Sequence, residues 1–137
     1  MAHTRTEPSL HGGLDGDVTA LKLLAPGSER VALQRLAELM TTAGWNTTME
    51  IGSGPAVPVN DLVGGTSGVV LAAIWAGGEH ARQVAATGGE ALLRAADPTG
   101  DGLDWGMSPG WTQDAELLAR YRWDSHGGGD SRGGPGP

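Results

Sequence analysis

"NDLVGGTSGVVLAAIWAGG", residues 60–78, is the most apolar part of the chain. An aspartate and a glycine-rich turn lead into a run that is apolar on nearly every side, and Gly77 and Gly78 close it. Such a run predicts a helix that begins near Thr66 and is buried on most sides, because it offers no polar face to water. The most apolar part, Gly68 to Gly77, is about half of the ~20 residues that a membrane-spanning helix needs. The leading "MAHTRTEPSLHGG" carries no apolar signal-type segment. The expectation is a soluble, cytoplasmic chain with no membrane partner.

Working outward, "EHARQVAATGGEALLRAADP" predicts a further helix with Val84, Gly88, Ala91, Leu92 and Ala95 on one face, stopped at Asp97-Pro98. Upstream, "SERVALQRLAELMTTAG" predicts a helix with Ser28 as N-cap and Gly44 as left-handed terminator. Its apolar side is Val31, Leu33, Leu36, Leu39 and Met40. "DVTALKLL", Asp17 to Leu24, predicts a shorter helix with Val18, Leu21 and Leu24 inward, ended by Pro26 and Gly27. Between them, "WNTTMEIGSGPAVPVN" mixes β-formers with prolines and has no helical period, so it predicts an irregular connection with room for a short hairpin. The fold class expected is all-α.

Two of the predicted helices begin alike. "LHGGLDGDVTALKLL" and "LVGGTSGVVLAAIWA" align without a gap, setting Leu10 on Leu62, Gly12 on Gly64, Gly13 on Gly65, Gly16 on Gly68 and Ala20 on Ala72. This predicts a repeated unit in which a glycine-rich turn is followed by an inner apolar helix and then an outer amphipathic one. The even spacing of Trp45, Trp75 and Trp105 has no matching neighbours and carries no such meaning.

Composition narrows the function. The net charge of −7 and isoelectric point near 4.8, with no basic cluster, exclude a phosphate-backbone binder. With Cys at 0 there is no disulfide framework and no thiolate zinc site in the chain. Length allows one modest core. The glycine excess falls in the tail, residues 112–137, and in two short turns, so the tail is expected to be disordered, leaving 1–111 as the helical domain.

"GGTSG" offers free N–H groups for a phosphate, but it lacks the Lys-Ser/Thr of a P-loop and a preceding strand, so close helix packing accounts for it better. "DPTGDGLDWGMS" places Asp97, Thr99 and Asp101 like alternate calcium ligands with Gly102 at the bend, yet Ser108 stands where a bidentate acid should close the shell. A polar turn explains the same residues. "SHGGG" at Ser125 to Gly129 imitates an oxyanion-hole motif without any G-x-S-x-G partner. His3, His11, His80 and His126 show no ligand spacing.

From about Gly12 to Trp111 the chain resembles the lanthionine synthetase C-like family, most specifically in "NDLVGGTSGVVLAAIWAGG", where an Asp-apolar-apolar-x-Gly-x-x-Gly block opens an inner helix. The resemblance implies part of an α/α toroid, a ring of inner helices wrapped by an outer ring. It implies a zinc-dependent cyclase that adds a peptide Cys thiolate to dehydroalanine or dehydrobutyrine, with a precursor peptide as partner in intact relatives. Of the family's site only the aspartate carries over, onto Asp61 as a catalytic residue, and a capping role for Asp61 reads equally well. The zinc ligands are missing, so no cofactor is expected in this chain, and no Ser-His-Gly-x-x-Gly follows Trp111.

That missing motif can lie in another reading frame. Codons consistent with "DAELLARYRWDSHGGGDSRGG", read one nucleotide later, can spell Met-Pro-Asn-Tyr-Ser-His-Gly-Thr-Ala-Gly, with the histidine codon overlapping those of Ala119 and Arg120. The sequence therefore predicts a frame change near Trp111 and a truncated, inactive cyclase-like product. Its unpartnered inner faces, such as Val69, Val70, Leu71 and Ile74, would forfeit several kcal/mol at about 25 cal/mol per Å2, giving a poorly folded or aggregating chain. Two other functions stay open: a small helical interaction module, and a weak calcium-binding helical domain around Asp97 to Asp104.

Overall fold

A computed structural model describes residues 4–47 and 58–105. The tail, the boundary after Trp111, Ser108, His3 and His126 lie outside the described residues. Among those described, the order is α1 (Leu14–Leu24), α2 (Glu29–Leu39), α3 (Thr66–Ala76), α4 (Glu79–Ala95), β1 (Asp97–Thr99) and β2 (Gly102–Asp104).

The described residues are mostly helical, as the all-α expectation has it, with one short antiparallel two-stranded hairpin added. Pro98 cannot continue α4, and the antiparallel register Asp97↔Asp104, Pro98↔Leu103, Thr99↔Gly102 leaves Gly100 and Asp101 as a tight turn. Trp105 fastens this hairpin to α4 by donating from Nε1 to the Leu92 carbonyl at 2.7 Å. The connection after Trp45 closes on itself through a single antiparallel bridge, Asn46↔Pro58.

α1 packs on α2 and α3 on α4, while α1 lies beside α3 and α2 beside α4, so two helical hairpins stand side by side in two layers. The shared core holds Leu14, Val18, Leu33, Leu36, Trp45, Val69, Ala73 and Val84. Trp45 is wholly buried and donates from Nε1 to the Leu36 carbonyl at 2.7 Å, the partner a buried indole needs. Gly88 makes room for it: a Cβ there would stand 2.8 Å from Trp45 Cζ3.

Helix limits and faces depart from expectation in instructive places. α1 begins at Leu14, not Asp17, so its core contacts are Leu14 and Val18, and Leu24 is 85% exposed. α2 ends at Leu39; Gly44 does adopt φ +107, but in a turn beyond it where Thr41 and Gly44 exchange backbone hydrogen bonds. Ser28 occupies the N-cap without a side-chain cap bond, and the Glu29 carboxylate instead accepts from the Gly27 N–H. On α2, Ala32 is buried and Val31 is not. α3 is buried on one side only: Val69 is fully enclosed and Val70 half-buried, whereas Leu71, Ile74 and Trp75 are exposed.

Gly44 and Gly27 share the same backbone requirement but differ in surroundings. A Cβ at Gly27 meets nothing, while one at Gly44 collides with Thr66 Oγ1 at the start of α3. Gly27→Ala is expected to cost about 1 kcal/mol, from the left-handed backbone alone, and Gly44→Ala at least about 1 kcal/mol more. Urea unfolding of both variants checks this; equal losses would show that the Gly44–Thr66 approach does not constrain the fold.

Candidate functional site at the glycine-rich turns

The two glycine-rich turns are built alike. Leu14 N–H donates to the Glu7 carbonyl at 2.9 Å, and at the equivalent place Thr66 N–H donates to the Val59 carbonyl at 2.7 Å. Gly13 and Gly65 are the N-caps, both with extended backbone, and the helices that follow are each 11 residues long. A Cβ on Gly16 would strike the Leu10 carbonyl, and one on Gly68 would strike the Leu62 carbonyl. The shift that aligns the sequences thus also superimposes hydrogen bonds and steric constraints. The turns are joined directly, by Leu10 N–H donating to the Val63 carbonyl at 2.9 Å.

Asp61, half-buried, organises the second turn. Its Oδ1 accepts from the Val63 N–H at 2.6 Å and the Gly64 N–H at 2.8 Å. It therefore caps the turn that precedes α3, while the helix N-cap itself is Gly65. Ser67 Oγ donates to the Asn60 carbonyl and ties the first turn of α3 to the same segment. Within "GGTSG" the Gly64 and Thr66 amides are engaged inside the protein, and a Cβ on Gly65 or Gly68 would strike a backbone carbonyl, so the turn is closely packed.

The residue that sequence reasoning missed is Asp15. It lies in the first turn of α1, is fully buried, and neither carboxylate oxygen has a hydrogen-bond partner among the described residues. Gly68 lets it in: a Cβ there would come within 2.8 Å of Asp15 Oδ2. Burial pushes its pKa up to about 6, because the charged form is stripped of water without compensation. An acid in a first helical turn ordinarily reads as a solvated partner for the helix dipole, so only the α1–α3 contact reveals the burial.

The remaining candidates are dispersed. Asp97 and Asp104 sit on the paired strands of the β-hairpin and Asp101 in its turn, and His11 and His80 are exposed. Among the described residues no group of three or more His, Cys, Asp or Glu could hold a metal ion, and no helix among them is long and apolar enough to cross a membrane. A cleft of about 350 Å3 opens between the α1–α2 and α3–α4 turns, lined by Lys22, Glu29, Arg30, Glu79 and His80 over Leu33 and Ala81. Its charges are of mixed sign, and Lys22 pairs with Glu29 at 3.5 Å. The Glu29 carboxyl is held below the ordinary range by its own backbone N–H first, with the Gly27 N–H and the Lys22 ammonium adding to this against the effect of burial.

The chain matches no family model, no curated protein and no solved structure.

Asp15 makes a signed prediction. Its folded pKa of about 6 lies above the ordinary 3.8, so the folded state binds the proton more tightly, and this contribution is full below pH 3.8 and lost as pH rises through 6. Asp15→Asn is expected to stabilise the protein at pH 7 by on the order of 2–3 kcal/mol, with the advantage gone by about pH 4. Denaturant melts at both pH values check it; a variant less stable than the parent at pH 7 would show that Asp15 has a partner. For Asp61, Ala is expected to cost about 1–2 kcal/mol and Asn much less, since the amide oxygen still accepts from Val63 and Gly64; equal losses would contradict the capping geometry.

Proposed function

We propose that this chain carries the early coils of a lanthionine synthetase C-like domain and is inactive as a cyclase. The observation that carries the reading is the internal repeat, in which two inner helices of equal length are approached through the same glycine turn and each is backed by an outer helix. An α/α ring is assembled from units of this kind, and the Asp61 block leads into α3, which supports reading α3 as an inner helix.

The donor set does not fit the zinc of that family. Cys is 0 in the chain, and the described residues gather no alternative ligand cluster. No catalytic step through zinc is therefore assigned, and Asp61 is left with the turn it caps. The sequence after Trp111 is read as out of frame, which accounts for the family's missing histidine motif.

The protein purified in the presence of zinc is expected to hold no stoichiometric metal after dialysis and to leave a dehydrated precursor peptide uncyclised. Tightly retained zinc by elemental analysis, or thioether formation by mass spectrometry, would overturn the proposal. Nucleotide sequence across codons 108–125 tests the frame independently: a shifted frame that lacks Ser-His-Gly-x-x-Gly removes that part of the account.

The exposed apolar side of α3 favours a second reading, an interaction module, because Leu71, Ile74 and Trp75 form a contiguous face at helical spacing.

A further inference from the structure

The internal repeat says what belongs on the open face of α3. α1 and α3 run side by side in the same direction, since their lead-in turns are hydrogen-bonded to each other and Asp15, in the first turn of α1, lies against Gly68, in the first turn of α3. α1 thus presents Asp15 to Gly68, with Thr19 one turn further along the same side of α1, and Ala72 and Ala76, one and two turns beyond Gly68 on α3, are buried as well. The repeat alignment carries each half of this joint onto the other helix. The presenting side of α1 corresponds on α3 to Ser67 and Leu71, with Ile74 beside them, and Leu71 and Ile74 are 55% and 64% exposed. The receiving side of α3 corresponds on α1 to Gly16, Ala20 and Leu24, of which Ala20 and Leu24 are exposed.

We propose that the occupant of the α3 face is a second copy of this chain, seated through the Gly16–Ala20–Leu24 side of its α1, so that the joint between copies repeats the joint already formed between α1 and α3. Bulky Leu71 and Ile74 meet the small Gly16 and Ala20, with Ser67 of one copy set against Gly16 of the next as Asp15 is set against Gly68 within the chain. Among the described residues both halves carry exposed side chains, Leu71 and Ile74 on one and Ala20 and Leu24 on the other, so the contact is head-to-tail, and copies add until a ring closes or continue as an open stack. The inference rests on the repeat and the exposed faces alone and does not need the cyclase reading.

A pair of full-length variants tests it. Leu71→Asp destroys the presenting side and leaves the receiving side intact; Ala20→Arg does the reverse. By light scattering behind size exclusion, the parent is expected to exceed one chain's mass increasingly with concentration, and each variant alone to run as one chain. An equimolar mixture of the two is expected to give a particle of twice the single-chain mass, because one good half survives on each. Formation of that particle also shows that both variants are folded. A parent that stays at one chain's mass, variants that associate as the parent does, or a mixture that stays at one chain's mass would each overturn the proposal, with zinc content and cyclisation unaffected.

Discussion

The structure depends on one constraint: two glycine-rich turns that must bring backbone against backbone. Leu14 and Thr66 can donate to the Glu7 and Val59 carbonyls only if nothing projects from Gly13 and Gly65, and the first turns of both helices can approach their own lead-in segments only if Gly16 and Gly68 stay bare. Each bond alone is worth about 1 kcal/mol, yet breaking one here buries an unpaired amide, which costs more than the bond contributes. The Leu10–Val63 bond then locks the two turns into one unit. Everything else hangs from this pair: the parallel course of α1 and α3, the place of α2 and α4 behind them, and the pocket between α2 and α4 into which Trp45 is driven.

The constraint also explains two features that otherwise conflict with stability. Asp15 is carried into the interior because α1 must start at Leu14 for its amide to reach Glu7, and the next residue then faces Gly68 whatever its polarity. The unfavourable burial is tolerated because the turn geometry leaves that position no alternative. In the same way α3 is apolar all round but covered on one side, since its neighbours α1 and α4 occupy only the side that the turns direct toward them. The lead-in turn adds Leu62 and Val63, also exposed, to the uncovered surface.

Much of this was legible in the sequence. The glycine alignment predicted a repeated unit, and α3 begins at Thr66 and α4 buries Val84, Gly88 and Ala91 as their spacing predicts. The misses share a physical cause. Asp17 looks like a helix start because glycines upstream suggest a loop, but Leu14 is held helical by a carbonyl that is not local to the helix. Leu24 reads as inward by an i, i+3, i+6 spacing from Val18, but six residues carry it well round the helix, whereas Leu14 and Val18 at i, i+4 share the buried face. The hairpin at β1 and β2 is too short to show alternation and is held by Trp105 on α4, a tertiary contact. At Asp61 the sequence leaves capping and catalysis side by side, and the turn bonds from Val63 and Gly64 show the capping.

Amide hydrogen exchange at Leu10, Leu14 and Thr66 tests the central claim most directly. If the turns form one backbone-bonded unit, these three amides exchange as slowly as Val69 inside α3, and all lose protection together as denaturant is added. Exchange of Leu10 or Thr66 at loop rates, while the helix interiors stay protected, would mean that the turns do not hold the two coils together.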